Sequence, residues 1–175
     1  MQFDLEKSTP ILERTPDILN QLLRNLPNDW VSHNEGPDTW SPFDVVGHLI
    51  HGENTDWIPR VKIILAHGDT EAFEPFDRFA QYELSKGKTL DSLLDEFQLL
   101  RKKNIQELKG LKLTDQDLLK TGRHPELGII TLKNLLAAWV VHDLGHINQI
   151  TRVMAKQYTH EVGVWTQYMK VLGKT

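Results

Sequence analysis

Two histidines four residues apart, in His142-Asp143-Leu144-Gly145-His146, are the first feature of this chain that could do chemistry. On a helix such residues share a face, about 6 Å apart along the axis, so both imidazoles can address one ion. A chain with 8 histidines holds about 0.3 such pairs by chance, so the spacing alone decides little. Position around the helix adds to it. At about 100° per residue, the face with His142 and His146 also holds Leu135, Ala138, Trp139, Gln149 and Val153, which turns both histidines toward a core. Imidazoles in an apolar layer are costly unless hydrogen bonds or a shared cation tie them down.

A catalytic-type metal site needs a third ligand. Gly47-His48-Leu49-Ile50-His51-Gly52-Glu53 offers two candidates. His48 shares its helical face with Asp44, Gly52, Thr55 and Pro59, small and polar enough to line a cavity. His51 lies about 60° away and could face the cavity or solvent. His33, His67, His124 and His160 fall in or beside expected loops, where surface histidines are ordinary, although the His124 loop leads into the helix of His142. Other metal chemistries fail on residue type. Cysteine is absent, which excludes disulfides, cysteine-ligated zinc, iron–sulfur clusters and a cysteine nucleophile. A di-iron carboxylate bundle needs Glu-x-x-His, which does not occur. A zincin needs His-Glu-x-x-His, and Asp143 stands at that glutamate position with a shorter reach, an acid either supporting a ligand or at the surface. No general acid or base is evident beside the histidines.

Four stretches with helical periodicity must carry these residues. The first starts at Thr9-Pro10 or Thr15-Pro16, a cap followed by proline, and runs through Leu19, Leu22, Leu23 and Leu26 to Pro27. A polar connection follows, with Trp30 and Trp40 as anchors. The second stretch opens with the cap Ser41-Pro42 and runs to about Leu65, with a kink at Pro59. Residues 67–88 form a long connection containing Phe73, Phe76, Phe79 and Tyr82, in the manner of a lid or a site wall. The third stretch runs from Thr89 to Gly110, with Arg101-Lys102-Lys103 read as a solvated face balanced by Glu96 and Glu107. After a turn-rich segment, Gly122 to Gly128, the fourth runs from Thr131 to about Gln157, and Leu135 to Val141 make it the most buried. Residues Val162 to Leu172 read as a short C-terminal helix over the bundle. No alternating run is long enough to argue for a sheet, so the class is all-α, one helical bundle over residues 1–175.

Composition narrows the partners. The 175 residues carry a formal net charge of −4, too mild for wholesale phosphate neutralisation, so no nucleic-acid partner is expected. The longest apolar run has seven residues, Leu135 to Val141, against the ~20 of a spanning helix, so no membrane partner is expected. The first ten residues carry charge and no apolar core of a signal peptide, which makes the cytoplasm the expected compartment.

The segment Asn34 to Leu49, with Trp40-Ser41-Pro42 ahead of His48, resembles the second-helix signature of the DinB-like superfamily. Gly122-Arg123-His124-Pro125-Glu126-Leu127-Gly128, His142-Asp143-x-x-His146 and the tail Val162-Gly163-x-Trp165 resemble its later motifs, in the same order. The resemblance implies an up-down-down-up four-helix bundle with one divalent metal, zinc or nickel, on His48, His142 and His146, and so favours His48 over His51. It implies thiol S-transfer with a low-molecular-weight thiol cosubstrate and a small-molecule electrophile, or hydrolysis through metal-activated water, and a homodimer. The missing cysteine agrees with a borrowed thiol, and the lack of an evident acid or base tilts the expectation toward S-transfer. A non-enzymatic metal-binding stress-response module is the reading from another class.

Overall fold

The computed structural model describes residues 1–173, and the chain forms a four-helix bundle. Its long helices are α1 (Leu5–Leu23), the pair α3 (Pro42–Thr55) and α4 (Trp57–His67), α6 (Leu90–Gly110) and α8 (Leu132–Lys156). Short helices α2 (Asn28–Ser32), α5 (Ala80–Leu84) and α7 (Asp115–Leu118) lie in the connections. No helix among the described residues is long and apolar enough to cross a membrane.

The core falls into two clusters, and they give the helix directions. At one end Leu5 and Leu12, in the first half of α1, meet the cluster of Val61 and Ile64 of α4, Leu108 near the end of α6, and Leu132 and Leu136 at the start of α8. At the other end Leu19 and Leu23 close α1 against Val45 and Val46 of α3, Leu93 and Phe97 early in α6, and Ile150 late in α8. Thus α1 and α8 run one way, and α3–α4 and α6 run the other, an up-down-down-up order. Two consecutive parallel helices need a connection as long as the bundle, which is why residues 68–89 are so many.

Local chemistry sets the ends. Ser41 and Asp44 form a capping box on α3, and Thr89 and Thr131 cap α6 and α8 in the same way with Ser92 and Asn134. α1 starts earlier than its two Thr-Pro pairs suggest. Asp4 caps it by accepting from the Lys7 amide at 3.1 Å, and Pro10 and Pro16 lie inside. The threonines bond backward, Thr9 to the Leu5 carbonyl at 2.7 Å and Thr15 to the Ile11 carbonyl at 3.1 Å. It also ends before Pro27, because the chain leaves the helix at Arg24 and Asn25 takes a φ of +62°. The second stretch breaks at Asp56 instead of kinking at Pro59. Pro59 cannot donate to the Thr55 carbonyl, and a new helix starting at Trp57 puts it in a first turn, where no donor is needed.

Three further expectations give way to packing. A hairpin exists, β1 (Thr121–His124) antiparallel to β2 (Gly128–Thr131), with strands of four residues that are too short for an alternating pattern to show. The tail makes 3₁₀ turns, Gly163–Tyr168 and Lys170–Leu172, instead of an α-helix, and leaves Trp165 62% exposed. Val141 of α8 is 68% exposed, so that helix is not apolar-buried all round.

The largest departure is Arg101. It is 1% exposed, and Glu96 and Glu107 instead pair with Lys88 and Lys62. Arg101 donates through Nη1 to Asp143 Oδ2 at 2.5 Å and the Leu12 carbonyl at 2.7 Å, and through Nη2 to Asp143 Oδ1 at 3.0 Å and Glu53 Oε1 at 2.8 Å. The Leu12 carbonyl is free because Pro16 has no N–H to give it. Asn104 and the Trp139 indole complete the shell of Glu53. Burial opposes the charge on Arg101, but the two carboxylates outweigh it and hold the pKa above the ordinary arginine value. Burial raises the pKa of Glu53 against the pull of Arg101.

Truncating Arg101 strands two buried carboxylates. Arg101→Met should therefore cost about 3–5 kcal/mol in urea unfolding, and Arg101→Lys should recover only part, since an ammonium cannot fork across a carboxylate. A loss below about 1 kcal/mol for Arg101→Met would contradict this account.

Candidate metal centre

The imidazoles come from two helices at the rim of the core. The buried stripe of α8 is Leu132, Leu135, Leu136, Trp139, Asp143, Ile150 and Val153, so Asp143 faces the core, Ala138 faces solvent, and His142 and His146 sit at its border. α3 brings His48 opposite them. His142 Nε2 lies 3.1 Å from His48 Nε2 and 3.1 Å from His146 Nε2. One ring nitrogen of each histidine lies within 4.8 Å of the others, a grouping that could hold an ion, and among the described residues no other such group of histidine and acid side chains forms.

One ring nitrogen carries either a single N–H or a single lone pair, so His142 Nε2 cannot make a good hydrogen bond to both neighbours. A shared cation would satisfy all three lone pairs at once, and imidazole suits zinc or nickel. The ring protons then belong on the Nδ1 atoms. That of His146 reaches Gln149 Oε1 at 2.8 Å, whereas those of His48 and His142 are buried without a partner. Burial, reinforced by the neighbouring histidines and by a nearby arginine, pushes the pKa of His48 down to about 3 and that of His142 to about 2. Burial also lowers His146, against the opposing pull of Gln149 and Asp143. All three are neutral at physiological pH, as ligands must be.

A cavity of about 320 Å³ opens beside them. Trp40, Trp57 and Phe76 form its apolar walls, and Asp56, Arg60, Arg78 and His124 its polar ones. Trp40 packs on His48 at 4.6 Å, and Phe76 meets the His48 ring edge-on at 5.4 Å. Asp56 and Arg60 are a mostly buried pair, with Nη2 2.6 Å from Oδ1. Burial raises the pKa of Asp56 and lowers that of Arg60, each against the other's charge. Groups suited to acid–base work therefore do stand beside the histidines.

Several sequence-level assignments shift. His51 is buried against Phe76 at 4.7 Å and stands outside the cluster. The connection 67–88 supplies walls through Phe76 and Arg78. Trp139 is fully buried and stacks on Trp57 at 5.6 Å, so it cannot choose substrates by contact. Asp143 is fully buried and committed to Arg101. Sequence reasoning overlooked Asp56 and Arg60. Their i, i+4 spacing is the available signal, but it is common on solvated helices.

The model of the DinB superfamily matches residues 11–150. The chain belongs to this superfamily. It is 32% identical over 155 residues to YfiT of Bacillus subtilis (strain 168), covering 85% of this chain and 83% of YfiT. The solved structure of YfiT, described as a probable metal-dependent hydrolase with an unusual four-helix bundle topology, aligns with a TM-score of 0.74 at 29% identity, over 87% of this chain and 86% of that one. A DinB-like protein from Bacillus cereus ATCC 10987 aligns with a TM-score of 0.55 at 18% identity, over 87% and 89% of the two chains, and shows the fold alone. The four-helix bundle protein TT2238 does the same, with a TM-score of 0.55 at 17% identity over 85% and 98%.

The depressed histidine pKa values carry a pH dependence for the metal-free DinB domain. Unfolded histidines protonate near 6.5 while His48 and His142 in the fold stay neutral to about 3 and 2. The unfolded state thus binds more protons in that window, so stability is full above pH ~6.5 and is lost progressively as pH falls through it. The urea midpoint of metal-free protein should drop between pH 7.5 and 5, and a His48→Gln/His142→Gln variant should lose part of that drop. A midpoint with the same pH profile in both proteins would contradict the burial of neutral imidazoles.

Proposed function

We propose that this DinB-superfamily protein is a metal-dependent enzyme that hydrolyses a small-molecule ester or amide, with His48, His142 and His146 as the ligands of one divalent ion. The observation that carries the reading is the convergence of three neutral imidazole nitrogens beside a cavity that also holds a buried carboxylate. A divalent cation held by these three residues would supply Lewis acidity that makes the nucleophile more acidic near neutral pH. Asp56, with its raised proton affinity, accepts the proton of the nucleophile at its carboxylate, and Arg60 holds it in place. Trp40, Trp57 and Phe76 keep bulk water from the histidines. The likeness to YfiT, described as a probable metal-dependent hydrolase, supports the reading.

Thiol S-transfer is the second reading, and a separate observation favours it. Past Trp40 and Arg78 lies a neighbouring hollow of about 310 Å³, lined by Glu35, Asp38, Gln149 and Arg152. Together the two spaces have room for a polar low-molecular-weight thiol as well as an electrophile, and the chain has no cysteine of its own.

Elemental analysis of purified protein should find one zinc or nickel per chain, and His142→Ala and His146→Ala should each abolish it. Unchanged occupancy in both variants would sink the ligand assignment. With metal retained, Asp56→Asn should slow ester hydrolysis about 10²-fold. Conjugation of an electrophile with low-molecular-weight thiols, and no ester turnover, would select the second reading. Unfolding on metal removal with neither activity would leave a structural metal module.

A further inference from the structure

Two side chains of the cavity wall carry hydrogen-bond donors that have no acceptor among the described residues, and the proposed ion does not use them. The first is His124. Its Nδ1 lies 3.2 Å and 3.1 Å from the backbone N–H groups of Glu126 and Leu127. Both of these can only donate, so Nδ1 is the acceptor and the ring proton sits on Nε2. The turn of the hairpin therefore fixes the tautomer of His124, which lines the cavity, with Nε2 as a donor.

The second is Arg60. Its Nη2 is engaged by Asp56 and, at 3.4 Å, by the Glu74 carbonyl. Among the described residues no acceptor is recorded for its Nη1 and Nε. Phe73 holds both side chains. The Arg60 guanidinium lies 5.1 Å over the Phe73 ring, and His124 meets that ring edge-on at 6.3 Å. Phe73 is locked in turn by the hydrogen bond that its backbone N–H donates to the Arg123 carbonyl at 2.9 Å and by Gly122, where a Cβ would come within 2.8 Å of the ring. This wall is built and rigid. Arg78 adds an exposed cation that makes no ion pair among the described residues.

The charge balance points the same way. Among the acidic and basic side chains of the lining, Asp56 offsets Arg60, and Arg78 leaves an excess positive charge. A guanidinium and a neutral imidazole N–H held against one ring make a charge-assisted pair of donors of the kind a carboxylate accepts from.

We propose that Arg60 and His124 form a subsite for a carboxylate carried by the substrate, so that the substrates of this protein are small organic anions. This rests on the reading that the reaction takes place at the three histidines, because the subsite orients the substrate from the same cavity.

The test is calorimetric titration of zinc-loaded protein with succinate and with its neutral counterpart succinamide, with zinc content measured for every variant. Succinate should bind about tenfold or more tightly than succinamide. His124→Phe should weaken succinate about tenfold with zinc unchanged, and His124→Gln, which keeps an N–H donor, should recover part of that loss. Arg60→Met strands Asp56 and can unfold the protein, so Arg60→Lys serves beside it and should also weaken succinate. Equal binding of the two probes, unaltered succinate affinity in His124→Phe, or no succinate binding to wild type at about 10 mM would each overturn the proposal. Failure of wild type to hold either zinc or nickel stoichiometrically would instead count against the metal reading. The metal-free His142→Ala protein can still be titrated, and there the effect of adding His124→Phe should persist.

Discussion

One guanidinium holds the four helices in register. Arg101 of α6 bonds to a backbone carbonyl of α1, a glutamate of α3 and an aspartate of α8, with hardly any access to water. A charge in that position is costly unless every partner is in place, so alignments that misplace one of them are selected against by several kcal/mol. The knot therefore does more than add stability. Asp143 adjoins His142 in sequence and Glu53 follows His48 by five residues, so fixing the two acids on Arg101 fixes how α8 and α3 slide past each other. The imidazoles then meet with no direct bond between them and the knot.

The proline in α1 belongs to the same arrangement. Proline inside a helix costs stability because a carbonyl loses its donor. Here the carbonyl released by Pro16 is the Leu12 oxygen that Arg101 takes, which offsets part of that cost. The break at Asp56 has a comparable character. It relieves the conflict at Pro59 and puts Asp56 and Arg60 on the cavity wall, one turn apart. At two glycines the missing side chain is what matters. Gly47 lets the segment after α5 approach α3, where a Cβ would lie 2.4 Å from Ser85 Oγ, and Gly122 gives Phe73 its place under Arg60 and His124.

The sequence by itself determined the bundle class and the histidine pair of α8, because both rest on local periodicity. Three of the four long helices start where it places them, at Ser41, Thr89 and Thr131, and in the fold each of these is a cap bonded to a residue three positions on. With the family resemblance it also singled out His48 over His51. What it could not do was tell a buried charge from an exposed one. Arg101 sits in a run with two lysines that reads as solvated, and Asp143 next to a histidine reads as an accessory to a metal. Only the tertiary structure pairs them across 42 positions, because the cost of burying an ion is decided by partners on other helices and leaves no periodic trace in the chain. The polar wall of the cavity has the same origin. Asp56, Arg60, Arg78 and His124 come from a helix break, a long connection and a hairpin, and only packing brings them together.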